Sequence, residues 1–258
     1  MNDPQIRNAT RVRIELITPS LMDIFERLCE QVVTDFVGSV DDAAGSQAAW
    51  RRLIHWQRFF EAADQYGLPA EAQIGLYGEL VFIRHGLANN LNAGRLVSAW
   101  QGPARANQDF AFGRVAVEIK TTAAVNSTKV CISNIRQLDD NGIGLLVLTQ
   151  VAVDRRKGTG ETLPSIVADI LSKLDELSGA DFINCLTDSG YVESQAHLYI
   201  EFGYTLRHVR HFRVTDQFPR ILEKGLAMGI SDVSYTVELS TATDHLISEE
   251  TLMNALLE

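Results

Sequence analysis

Asp109, Glu118 and Lys120 fall within a dozen residues of one another, and these residue types in this order can hold a cation and a phosphate. Gly113-Arg114 separates Asp109-Phe110-Ala111-Phe112 from Val115-Ala116-Val117-Glu118-Ile119-Lys120. Glycine at the first central position suits a two-residue type II′ turn, which fixes the register of a β-hairpin. Phe112 then pairs with Val115, Ala111 with Ala116, Phe110 with Val117 and Asp109 with Glu118, with β-carbons about 4.5–5.5 Å apart. Side chains alternate along a strand, so Lys120 shares the face of Glu118 while Val115, Val117 and Ile119 point into a core. Two carboxylates set opposite each other repel, and one has its pKa raised unless a cation lies between them. A hard ion such as Mg²⁺, with Mn²⁺ as substitute, accepts one or two protein carboxylates and keeps waters that a phosphate displaces. Such an ion polarises a phosphoryl oxygen and activates water, and a nearby lysine orients or deprotonates that water. The expected chemistry is phosphodiester hydrolysis; the competing reading of these residues is a solvated edge hairpin with an incidental ion pair.

A third acid, Glu79, lies in Gly75-Leu76-Tyr77-Gly78-Glu79-Leu80. Leu76, Leu80, Ile83 and Leu87 recur at helical spacing over residues 71–87, which puts Glu79 about 60° off the centre of the apolar stripe, as a half-buried carboxylate or an ordinary border glutamate. Around this centre the patterns predict a strand over 11–17 and a helix capped by Ser20, with Leu21, Ile24, Phe25 and Leu28 on one face. A linker over 37–49 and an aromatic-rich helix over 50–63 follow. Strands are expected over 96–100, 109–112, 115–120 and 143–153. A helix with Pro164 in its first turn carries the stripe Ile166, Ile170, Leu174 and Leu177 and ends at Gly179. Further strands are expected over 198–202, 206–214 and 233–239. The architecture expected is α/β, a mixed central sheet flanked by helices, in a domain of residues 69–258 preceded by a strand-helix extension over residues 1–68.

The order helix acid, strand Asp, then Glu-x-Lys resembles the PD-(D/E)XK nuclease superfamily, the restriction-endonuclease-like fold. Gly75 to Leu80, Trp100-Gln101-Gly102-Pro103, Gln108-Asp109-Phe110, Glu118-Ile119-Lys120-Thr121-Thr122, Arg136-Gln137-Leu138 and Phe218-Pro219-Arg220 are similar to the bacterial "PD-(D/E)XK motif protein" family. The resemblance implies that Asp109 and Glu118 are metal ligands, Lys120 the catalytic lysine and Glu79 an accessory acid at the metal. It also implies a restriction-modification or phage-defence setting, with partner subunits or a homodimer. In several nucleases of the superfamily a glutamine on the element after the lysine strand orders the site or contacts DNA. By that likeness Gln137, with Arg136 beside it, belongs to the substrate-binding set; read from the residues alone, Gln137 serves equally as a structural polar residue. Gln108 stands where the superfamily's name has proline.

The composition of the 258-residue chain bounds these readings. A net charge of −10, from 23 Lys+Arg against 33 Asp+Glu, argues against a protein that coats nucleic acid by bulk charge. The charge is uneven: residues 225–258 carry six acids and no Lys or Arg, whereas 207–224 carry five bases against two acids. The middle of the chain either faces a polyanion or is a mixed surface. The longest apolar run, residues 143–153, is about half the ~20 residues a membrane span needs, and no signal-peptide pattern opens the chain, so a cytoplasmic protein is expected. Cys29, Cys131 and Cys185 lack zinc-type spacing and are expected as buried thiols. Arg155-Arg156-Lys157-Gly158-Thr159-Gly160 reads as a basic loop, and His208 and His211 are expected on opposite faces of a strand. Trp50, Trp56, Phe59 and Phe60 have the spacing of a helix core. Two functions therefore stand: a Mg²⁺-dependent DNA endonuclease, or a non-catalytic module of this fold that binds DNA or a partner protein.

Overall fold

The computed structural model describes residues 13–16, 22–62, 67–102, 107–125, 128–230 and 232–257. The chain divides into two compact units, residues 1–62 and 63–258. Ser20 and Leu21 lie outside the described residues, and residues 13–16 of the expected first strand have no regular structure.

Among the described residues, the first unit contains two helices, α1 (Met22–Val37) and α2 (Asp42–Ala62). The segment expected as a linker is mostly helix, because Asp41 accepts the Ala44 N–H at 2.8 Å as an N-cap and starts α2 at once. Gly45 is a packing residue, since a β-carbon there would lie 2.9 Å from the Phe36 carbonyl oxygen. Arg52 pairs with Asp35 at 2.8 Å, and buried Trp56 donates to Gln31 at 3.0 Å, while Trp50 is exposed.

The second unit is built on a five-stranded mixed sheet, β1 (Phe110–Phe112), β2 (Val115–Thr122), β4 (Leu145–Lys157), β5 (Phe202–Val214) and β7 (Leu246–Ile247), in the order β1-β2-β4-β5-β7. A two-stranded sheet, β3 (Lys129–Ile132) with β6 (Tyr235–Glu238), lies beside it in sequence and forms its own ladder. The β2–β4 pair is parallel and the other central pairs are antiparallel. β4 is buried from Leu146 to Val153, as expected of a strand covered on both faces. One cover is the core of α3 (Ala70–Ala88), α4 (Ala93–Ala99), α5 (Leu163–Leu171), α6 (Glu176–Asp188) and α7 (Glu249–Leu257), into which Val117, Ile119, Val147 and Val151 point. The other is a smaller core of Ala116, Leu146, Leu148 and Phe212 with Val130, Ile132 and Val237 from the small sheet.

Several elements depart from the sequence patterns. Residues 96–99 are helical, because Asn92 caps α4 by accepting the Arg95 N–H at 2.9 Å, and Trp100 follows in extended conformation as an isolated antiparallel bridge to Phe110. The stripe from Ile166 to Leu177 spans two helices, α5 ending at Leu171 and α6 restarting on the Asp175 cap, so Gly179 sits inside α6. Residues 198–199 close a 3₁₀ segment, and β5 begins only at Phe202. Arg155 to Lys157 extend β4, with Arg155 over the Phe202 ring at 3.6 Å, and are not a loop. Cys131 is exposed and Cys29 and Cys185 half-buried, all three as free thiols. His211 is buried against Thr149 at 2.9 Å while His208 meets Arg210 at 3.0 Å, which places the two histidines on opposite faces. No helix among the described residues is long and apolar enough to cross a membrane.

Candidate active site

The hairpin has the register its turn dictates: Phe112 pairs with Val115, Ala111 with Ala116 and Phe110 with Val117. Gly113 takes φ +66° while Arg114 stays at negative φ, the signs of a type II′ turn. β1 ends one residue short of Asp109, which leaves the Ile119 N–H without a strand partner on that side. Asp109 Oδ2 accepts it at 2.7 Å, so the carboxylate replaces a rung of the ladder. Glu118 is 1 % exposed, and its Oε1 lies 2.9 Å from Lys120 Nζ. Neither Glu118 oxygen accepts a hydrogen bond of good geometry among the described residues.

Glu79 reaches the same place from α3. A β-carbon on Gly78 would collide with the Thr121 side chain, so glycine lets α3 lie directly on β2 and sets the next residue, Glu79, at the strand's edge. Trp100 Nε1 donates to Glu79 Oε2 at 2.6 Å and fixes the carboxylate. The backbone then turns at Gly102, where a β-carbon would lie 2.8 Å from Glu79 Oε2 and 3.2 Å from Asp109 Oδ1. The Gln101 and Gly102 N–H groups donate to the Asp109 carbonyl at 2.7 and 3.0 Å and hold that turn against β1. A cleft of about 300 Å³ lined by Gly75, Glu79, Gly102 and Asp188 opens onto Glu79.

Lys120 is held from a third element. Asn134 and Gln137 form a capping box on the 3₁₀ turn Ile135–Leu138, and Gln137 Oε1 accepts from Lys120 Nζ at 3.0 Å. Gln108 Nε2 donates to the Arg136 carbonyl at 2.9 Å and reaches those of Gln137 and Asp139 at 3.4 and 3.5 Å. The glutamine that replaces proline therefore ties the approach to β1 to the turn bearing Gln137. Arg136 is largely exposed and faces Glu223 at 3.8 Å.

The electrostatics follow from crowding acids in a dry place. Burial, then the Asp109 charge, pushes Glu118 up to about 8 against the pull of Lys120. Burial and the Asp109 charge also hold Glu79 well above the usual carboxylate range, although Trp100 opposes them. Burial raises Asp109 too, moderated by the Ile119 N–H and by Lys120. Among the described residues no three His, Cys, Asp or Glu side chains are arranged to hold a metal ion. Two carboxylates with waters suffice for Mg²⁺, and the buried Glu118 carboxylate, beside Asp109 and without a hydrogen bond of good geometry among the described residues, fits a hard cation.

Sequence reasoning singled out the acids, Lys120 and Gln137 but gave no role to Trp100, Gly102 or Gly78. Their only sequence signal was the Trp-Gln-Gly-Pro and Gly-x-x-Gly-Glu motifs themselves. Comparison with curated proteins and with solved structures finds no match. Residues 3–240 match the model of the family described as "Putative PD-(D/E)XK family member, (DUF4420)", and the chain belongs to that family.

Proposed function

We propose that this protein is a divalent-metal-dependent DNA endonuclease of a restriction or phage-defence system, acting with partner subunits or as a homodimer. Asp109 and Glu118 hold Mg²⁺, or Mn²⁺ in its place, with Glu79 as the accessory acid, and Lys120 is the catalytic lysine. The observation that carries this reading is Glu118, a carboxylate 1 % exposed that sits beside the second acid Asp109, with the Lys120 ammonium at 2.9 Å as its one ion-pair partner among the described residues. A carboxylate so placed costs stability unless its charge is met by a cation.

Bound Mg²⁺ supplies polarisation of a phosphoryl oxygen and activation of water. The protein's own groups supply the rest. Of the three ammonium donors of Lys120, one goes to Gln137 and one faces Glu118, so one is left for the attacking water or a phosphate oxygen. Asp109 is fixed by the Ile119 N–H, and Glu79 by Trp100, so neither must be ordered when substrate arrives. Hydrolysis forms one P–O bond from water and breaks the P–O bond to the leaving sugar oxygen, which takes up a proton. Gln137 acts by holding Lys120, and Arg136, exposed on the same turn, contacts the DNA backbone.

The test is incubation of the purified protein with supercoiled and linear DNA in Mg²⁺, Mn²⁺ or EDTA, repeated with neighbouring gene products present. Metal-dependent nicking that Asp109→Ala and Lys120→Ala abolish is expected. The second reading, a non-catalytic DNA- or protein-binding module, is favoured by the Lys120–Glu118 ion pair, which already offsets part of the acid charge. Binding without cleavage in every metal, with partners added, would replace the first reading by the second.

A further inference from the structure

Lys120, Gln150 and Arg210 stand side by side on three adjacent strands. Lys120 pairs with Gln150 in the parallel β2–β4 ladder, and Gln150 pairs with Arg210 in the antiparallel β4–β5 ladder. Residues paired across a ladder project from one face, so this row shares the face of Glu118. Thr122, Ala152 and His208 form the next row on that face. With strands about 4.8 Å apart, the Arg210 and Lys120 backbones are about 10 Å from each other.

The neighbouring cations are engaged. Lys120 faces Glu118 and Gln137. Arg207 lies 3.4 Å from Asp154 and donates to the Val125 and Ala124 carbonyls at 2.9 and 2.5 Å, which holds the loop after β2. Arg210 makes no ion pair among the described residues. Its Nη2 meets His208 Nε2 at 3.0 Å, and its Nε is buried without a hydrogen-bond partner. A guanidinium only donates, so His208 Nε2 accepts and the ring proton sits on Nδ1. Burial together with the Arg210 and Arg207 charges lowers the His208 pKa, which keeps that ring neutral near pH 7. The result is a half-buried guanidinium whose Nη2 is held by a neutral partner and whose Nη1 is left to face a ligand, without a counter-charge among the described residues. A phosphate oxygen supplies both the acceptor and the charge.

We infer that Arg210, steadied by His208, is a binding post for a backbone phosphate of DNA flanking the phosphate at Lys120, so that the strand crosses the sheet from β2 toward β5. The identity of the substrate rests on the nuclease reading, but the post itself is argued from Arg210 alone.

The test is equilibrium binding of a labelled DNA duplex in EDTA, across a KCl titration, by the wild-type chain, Arg210→Ala, Arg210→Lys and a control, Lys173→Ala, on the helical side. Arg210→Ala is expected to bind about tenfold more weakly at low salt. Its plot of log affinity against log salt should be shallower by about 0.9. Arg210→Lys should restore the slope but not the full affinity, and the control should match wild type. Thermal melts and the Arg210→Lys slope separate a lost contact from a lost fold. Unchanged affinity and slope in Arg210→Ala overturn the inference even if the protein cleaves DNA. Arg210-dependent binding without metal-dependent cleavage leaves the post standing and removes the nuclease reading. Absence of DNA binding by the wild type at low salt overturns both.

Discussion

Two carboxylates of the second unit have opposite surroundings. Glu161 is fully answered: Tyr77 Oη donates to one oxygen at 2.8 Å and Arg84 Nη1 to the other at 2.6 Å. Glu118 is more deeply buried, yet its one ion-pair partner among the described residues is Lys120, and burial with a second acid at its side raises its pKa. A fold that needs a buried acid for stability gives it donors, as at Glu161. One that leaves the acid short of donors holds a group for something that arrives later. On the proposed reading, Glu161 is the structural carboxylate and Glu118 the one kept for a metal ion.

The sharpest way to break this comparison is to remove each acid in turn and read cleavage and stability separately. Glu118→Ala should lower the rate of DNA cleavage about 10³-fold. Glu161→Ala should leave that rate within a few-fold of wild type. Equal losses of rate in the two variants, measured on protein still folded by circular dichroism, would erase the distinction.

The next effect is a pH dependence of opposite sign to the common one. The Glu118 pKa of about 8 lies above its ordinary value of 4.5, so between these values the folded state holds a proton the unfolded chain has lost. That contribution is complete below about pH 4.5 and gone above about pH 8. At about 1.4 kcal/mol per unit, it makes the metal-free protein less stable by a few kcal/mol as pH rises. Urea melts in EDTA from pH 5 to 9 should show that decline, and Glu118→Gln should flatten it. Added Mg²⁺ should stabilise most at the alkaline end, where no proton need be displaced. A decline that persists undiminished in Glu118→Gln would place its source elsewhere.

Glu161→Ala should cost about 2 kcal/mol of stability at neutral pH, since it strands Tyr77 and Arg84. The smallest effect expected is that of Gly102→Ala, whose β-carbon presses on the Glu79 carboxylate. About a tenfold fall in cleavage with a melting temperature near wild type is expected, because the crowded atom is the end of a side chain and not backbone. A large loss of stability would mean that the turn at Gly102 serves the fold before it serves the site.

Legibility tracks the range of the interactions involved. The hairpin was readable because Gly113 fixes its turn, the turn fixes the register, and alternation then assigns every face. α3 was readable because its apolar residues Leu76, Leu80, Ile83 and Leu87 repeat over about three turns. Residues 96–100 were not, since Leu96, Val97 and Trp100 fit a buried strand as well as a helix, and Asn92, just upstream of the apolar run, decides between them. The α5–α6 break was hidden because the apolar stripe continues across it, and Asp175 gave the only local mark. In the site, Asp109, Glu118 and Lys120 could be brought together from local spacing, whereas Glu79 joined them only through the resemblance. Trp100 on Glu79, Gly78 on Thr121 and Gln108 on the 3₁₀ turn could not, because each joins segments 20 or more residues apart.

The grip of Gln108 on the carbonyls of Arg136, Gln137 and Asp139 gives the departure from the superfamily's name a mechanical meaning. Proline at that position has no side-chain donor, so a substitution that looks like a reversion to type would cut the strut between the segment that carries Asp109 and the turn that steadies Lys120. Here the letter that spoils the signature is the one that braces the machinery the signature describes.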